Sequence, residues 1–306
     1  MDTAARILQM LEVHDLHLAP IDSLGERAKM QHHPDTAAKK YELDDWFVSY
    51  LDALDAPEIE RGDAVASMRA LGRVDLVPPV YEWLAEEATL EQLREYLAVE
   101  GGPDGGFDDL VAACQIGIDG PAKLELAQNY WDEMGNGRLD RVHTELHRKL
   151  SRSLDLRAVP RTELPLEALE RAALGSVLAT NRWLQPEMIG ALGLIELQAG
   201  PRCRKVVRAL ERLGCGWDAL DFYAEHAEAD PRHGKDWVDK VVGSLQDTGD
   251  WGPRIVRGAC WRSAVNRRFF TAMHDRFVTI DLREDDVHGD ARASQADAGH
   301  RGRAAA

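Results

Sequence analysis

His226, Asp230 and His233 stand at i, i+4 and i+7 within the segment 222–234, a spacing that returns to nearly one face of a helix. Imidazole and carboxylate together are metal-ligand types. Over seven residues a helix advances ~10 Å, too far for the two histidines to share one ion. Two ions roughly 3.5–4 Å apart, with Asp230 between the histidines, fit that span better. Pro231 interrupts the run, because an interior proline removes a backbone hydrogen bond and bends the helix at about Ala227. Such a bend either draws the ligands together or spoils the site, and taken alone the stripe reads first as a solvated polar face.

A second cluster lies upstream, where the stretch 124–137 ends in Asp132-Glu133-Met134-Gly135-Asn136-Gly137 and is followed by His143 and His147. In one straight helix Glu133 and His143 would be ~15 Å apart along the axis, beyond sharing a metal. The two glycines supply the break that lets the chain turn and bring them together. His147, one turn past His143, competes for the same role. Two more carboxylates sit among apolar neighbours, Glu100 after Tyr96-Leu97-Ala98-Val99 and Glu196 within Leu192-Gly193-Leu194-Ile195 and Leu197. A carboxylate facing a core needs a partner, either a metal or a buried ion pair. Glu100 adjoins Gly101 at a helix end, where simple exposure is the competing reading.

The elements that must position these groups are helices. Apolar residues recur at helical spacing nearly throughout, as in Leu90, Leu93 and Leu97, and alternating β-type runs are hard to find, so the expected class is all-α. Helices are expected near 38–54, 57–73, 77–101, 105–117, 121–134, 138–153, 165–183, 187–213, 217–230, 232–248 and 253–280, broken by glycine and proline clusters such as Gly101-Gly102-Pro103. Residues 1–35 read as an N-terminal arm or peripheral, loosely attached helices, with His14, His17, His32 and His33 on the surface. Residues 36–283 read as one domain, and 284–306 as a disordered tail with almost nothing to bury.

Composition narrows the setting. With 53 acidic against 37 basic residues the net charge is −16, which argues against nucleic-acid or anionic-membrane binding. No apolar run approaches the ~18 residues of a membrane span, and the start lacks a signal-peptide pattern. A cytoplasmic location is expected. Cys114, Cys203, Cys215 and Cys260 form no C-x-x-C pair, which fits a reducing compartment and speaks against a zinc or disulfide framework.

Taken together, Glu100, Glu133 with His143, Glu196, and His226-x3-Asp230-x2-His233 resemble the haem-oxygenase-like di-iron oxidases and oxygenases, or iron-containing redox enzymes, over residues 90–240. The stretch Glu125-Leu126-Ala127-Gln128-Asn129-x2-Asp132-Glu133-x-Gly135-x-Gly137-x5-His143 is the most recognisable part. The resemblance implies a haem-oxygenase-like bundle of about seven core helices that holds two irons, Fe(II) or Fe(III), and no haem, with dioxygen as co-substrate. It makes those seven residues the metal ligands. It also implies a small-molecule substrate, an external electron donor or reductase, and homodimeric assembly. The carboxylate-rich set looks more like the branch that N-oxygenates amines or guanidines. Oxidative decarboxylation or C–C cleavage of an amino or fatty acid is the alternative, and a metal-independent, thiaminase-like helical enzyme using Cys215 the second. Trp131, Trp217, Tyr223 and Trp237 lie near proposed ligands and are candidates for the substrate pocket, with ordinary core packing as the competing reading.

Overall fold

The computed structural model describes residues 2–59, 62–104 and 106–300, with side chains for 2–59, 62–101 and 106–278. Among these residues the backbone is helical, without a strand. The α-helices of two turns or more are α1 (Thr3–Leu18), α2 (Pro34–Asp52), α3 (Ala64–Leu71), α4 (Pro79–Glu86), α5 (Leu90–Asp104), α6 (Phe107–Cys114), α7 (Gly120–Glu133), α8 (His143–Ser153), α9 (Leu166–Thr180), α10 (Gln185–Arg212), α11 (Trp217–Asp236) and α12 (Trp251–His300). The expected tail, 284–306, lies outside the residues described to their side chains.

Local chemistry explains where the helices differ from expectation. The stretch 77–101 is two helices, because Thr89 and Gln92 form a reciprocal cap: Gln92 N–H donates to Thr89 Oγ1 and Thr89 N–H to Gln92 Oε1 at 2.8 Å. The helix expected from 57 starts only at Ala64, where Asp63 accepts the Ala66 N–H at 2.7 Å. Helix α11 runs through Pro231 and continues into a π-helical turn, Trp237–Val242.

Long α10 is the axis of the bundle, packed against α4, α11 and α12. Its first half, with Met188, Ile189 and Leu192, belongs to one apolar cluster, and its second half, with Val206 and Leu210, to another. Helices α9, α11 with its continuation, and α12 also pass from one cluster to the other. Between them lies a polar layer holding Glu196, Gln198 and Arg202 of α10, Asp230 and His233 of α11, and Asn266 of α12, all buried. The N-terminal segment is not loosely attached: Ile7, Met10 and Leu11 of α1 enter the first cluster. His14, expected on the surface, is buried between Asp44 at 2.7 Å and Ser176 at 2.8 Å. Among the described residues no helix is long and apolar enough to cross a membrane.

Candidate metal centre

The chain reversal between α7 and α8 removes the separation that a straight helix would impose. Gly135 and Gly137 take left-handed angles, φ 61° and 80°, as does Asn136 at 53°. A Cβ on Gly135 would fall 2.5 Å from the Arg141 carbonyl carbon, so only glycine lets the returning chain pass. As a result α8 opens with His143 Nδ1 2.7 Å from Glu133 Oε2 at the end of α7.

The other ligand-type groups come from the contact of α10 with α11. Gly234 packs directly on the backbone of Glu196, and Gly200 on the ring of Pro231. These close approaches bring Glu196 Oε2 within 3.6 Å of His233 Nδ1. Pro231 does not break the helix. The Ala227 carbonyl, which would have accepted the missing N–H, accepts instead from Arg204 Nη1 at 3.0 Å.

Two triads result, Glu133 with His143 and His226, and Glu133 with Glu196 and His233. Within each, the ligand atoms all lie within 4.8 Å of one another. Glu133 is common to both. Asp230 adds a carboxylate beside the second triad, 3.9 Å from His233 Nδ1. Neighbouring groups fix which atoms face inward. His226 Nδ1–H donates to the Phe222 carbonyl at 2.8 Å, leaving Nε2 for the cluster. His233 Nε2 is taken by Asp132 at 3.0 Å, leaving Nδ1. Asn129 Nδ2 donates to Glu196 Oε1 at 2.8 Å.

Charge and hydrogen bonding argue that the cluster suits cations. Buried Glu187 is met by Arg254 and Arg257, and buried Glu170 by Arg268, as structural carboxylates are. Glu133, Glu196 and Asp230 are as deeply buried, yet among the described residues their partners are histidines and an asparagine, with no lysine or arginine. His143 Nδ1, His233 Nδ1 and Asp230 Oδ2 are buried without a directed hydrogen bond, although they sit close to one another's neighbours. That is the arrangement of atoms facing a shared ion rather than each other.

Without a cation the cluster holds protons. Burial, then the charges of Glu196 and Glu133, push the Asp230 carboxyl well above its usual range. Burial and neighbouring His143 bring His226 down to about 4, so its imidazole is neutral and able to ligate. Burial opposes the charged form of His233, but Glu196 and Asp132 outweigh it and raise the group to about 9. For His143 burial is likewise outweighed, by Glu133. The residues therefore fit a metal centre whose cations would displace these protons.

The remaining expected site residues lie outside the two triads. Glu100 belongs to neither triad; its carboxylate accepts from Tyr81, from Tyr96 at 2.9 Å and from Tyr223 at 3.5 Å, so phenols satisfy it. Tyr223 lines the cavity next to the cluster, about 190 Å³ in volume. Of the tryptophans, Trp131 and Trp217 are 50% and 65% exposed, and Trp237 is a core residue donating to the Ile189 carbonyl at 3.1 Å; none lines that cavity. Trp131 instead covers Gly137. His147 reaches the cavity wall but not the triads. Burial raises the Cys215 thiol, the reverse of an activated nucleophile. Asp132 and Asn129, given no role from the sequence, orient ligands. Asn129 could have been found, since it precedes Glu133 by four residues and shares its helix face.

Comparison with known proteins agrees with this geometry. No curated protein matches the chain. The profile of the family described as iron-containing redox enzyme matches residues 94–267, more than half the chain and all of both triads. This chain, with its all-helical bundle, belongs to the family of iron-containing redox enzymes.

Proposed function

We propose that the protein is a non-haem di-iron oxidoreductase that uses dioxygen to oxidise a small molecule at nitrogen, an amine or a guanidine. The observation that carries this reading is Glu133, a single buried carboxylate common to two ligand triads. Glu133 would hold both ions, His143 and His226 one of them, and Glu196, His233 and Asp230 the other. Two Fe(II) ions, when bound, supply the electrons with which dioxygen is activated. The chain's own residues orient and enclose: Asp132 and the Phe222 carbonyl turn the imidazoles, Asn129 turns Glu196, and the two apolar clusters keep bulk water from the polar layer.

An amine substrate is supported by an acceptor in the cavity wall: Asn266 Oδ1 is buried there without a hydrogen-bond partner and would take an N–H donor. Oxidative decarboxylation or C–C cleavage of an amino or fatty acid is the second reading, favoured by the guanidinium groups of Arg171, Arg202 and Arg262 in that wall.

The test is anaerobic Fe(II) titration followed by rapid mixing with dioxygen. Uptake near two irons per chain, with a transient visible band, is the expected result, and absence of iron binding would sink the reading. Product masses then separate the two chemistries, a gained oxygen atom for the first and lost carbon dioxide for the second.

A further inference from the structure

The metal cavity is small. At about 190 Å³ it falls below the ~300–1,000 Å³ of clefts that enclose a whole organic ligand. Beside it is a larger cleft of about 880 Å³, between α1, α5, α6, α9 and the stretch 156–164. One side chain, His147, lines both spaces. Its ring stands edge-on to Phe222 with centroids 5.2 Å apart and packs on Gly101, where a Cβ would fall 2.5 Å from Nε2. Among the described residues it makes no hydrogen bond, so rotation of the ring breaks none.

The larger cleft is lined by small and aliphatic residues of α5, α6 and α9, among them Leu97, Ala98, Leu110 and Gly175, and also by polar Asp109, Ser151 and Ser176. The two arginines at its rim are committed to neighbours, Arg161 to Asp15 at 2.6 Å and Arg157 to Glu163 at 2.8 Å. Gly175 is not a packing necessity: a Cβ there would meet only Leu110, at an ordinary 3.6 Å. Its hydrogen leaves room in the wall.

We infer that this cleft is a second binding compartment, which takes an unbranched aliphatic remainder of the substrate, and that His147 is the side chain through which it communicates with the metal cavity. The inference rests on reading the cluster as the place where the substrate's polar end reacts. A short polar end fits the 190 Å³ space, and the apolar remainder passes His147 into the 880 Å³ space.

Calorimetric titration of the iron-loaded protein with straight-chain primary amines, from butylamine to decylamine, reads the compartment directly. Affinity should rise about fourfold for each methylene that leaves water. Gly175→Leu and Ala98→Leu narrow the cleft from two different helices, α9 and α5, and His147→Trp closes the passage. Each should flatten the dependence on chain length. Affinity independent of length in the parent, or a dependence that all folded variants retain, overturns the compartment. Iron uptake of the same samples separates the two failures. Full uptake without length dependence removes the compartment alone, whereas no uptake removes the reading of the cluster and the inference with it.

Discussion

Asp132 contributes no atom to either triad, yet it should set the affinity of one. Its carboxylate, 12% exposed, lies 3.0 Å from His233 Nε2 and 2.7 Å from Arg232. It fixes the proton on Nε2, points Nδ1 at the cluster, and raises the basicity of the ligating nitrogen. Asp132→Asn keeps the size and one acceptor oxygen and removes the charge; Asp132→Ala removes both. Loss of such a partner weakens metal binding by about 10- to 100-fold, or ~1.4–2.7 kcal/mol. The asparagine variant should fall at the lower end and the alanine variant at the upper. Because Glu133, Glu196 and His233 form one triad and His143 and His226 complete the other, only one of two binding phases should weaken. Anaerobic Fe(II) titration against a competing chelator measures both phases, and thermal unfolding checks that the variants are folded. Affinities within twofold of the parent in both variants would show that His233 is oriented by packing alone, and the role assigned to Asp132 would be wrong.

Glu133→Ala should abolish uptake of both irons, whereas His226→Ala or Glu196→Ala should leave close to one per chain; a single remaining iron in Glu133→Ala would refute sharing. Acid should loosen the docking of α1. His14, held below 6.5 by burial, is neutral in the folded chain and takes up a proton once unfolded, so its contribution is complete above about pH 6.5 and is lost as the pH falls below it. Asp44, also lowered despite burial because His14 and Lys40 bind its charged form, adds a loss of the same sign below its usual 3.8. Urea unfolding between pH 7.5 and 5 reports the first loss, and His14→Gln should flatten that dependence.

The class of the fold was legible because helical periodicity fills the chain; His226, Asp230 and His233 stood out by their shared helix face, Glu133 and His143 by the glycine break between them, and Glu196 by its apolar neighbours. What the sequence hides is the partner. Glu187 and Glu170 look much like Glu196 in their surroundings, and only the fold reveals that arginines from α12 meet the first two while a histidine from α11 faces the third. The tryptophans were misplaced for a related reason: proximity in sequence to a ligand says nothing of which helix face a ring occupies. Trp131 precedes Glu133 by two residues, about 200° around the helix, and so points away from it. The capping pair Thr89 and Gln92 was written in the sequence and would have divided α4 from α5. His14 was not readable in the same way, since its partners Asp44 and Ser176 are remote in sequence.

The distance between the triads' contributors is set by backbone contact, and Gly234 tests this. A Cβ at that position would stand 2.7 Å from the Glu196 carbonyl oxygen and 2.8 Å from Leu197 Cα. Both are backbone atoms, so no side-chain rotation relieves the clash and α10 and α11 must part by several tenths of an ångström. Overpacking of this kind costs about 1–3 kcal/mol. The functional cost should exceed it, because metal–ligand distances tolerate only about 0.2 Å and Glu196 and His233 ride on the two helices that separate. Gly234→Ala should therefore lower the unfolding midpoint modestly and lose the iron shared by Glu133, Glu196 and His233, while the half completed by His143 persists. Gly243→Ala is the matched control: its Cβ would meet nothing nearer than 3.6 Å, so it should keep both irons and gain slightly in stability. If Gly234→Ala unfolds like the parent and retains two irons, the helix contact is not what places the ligands, and the flexibility of the side chains must suffice.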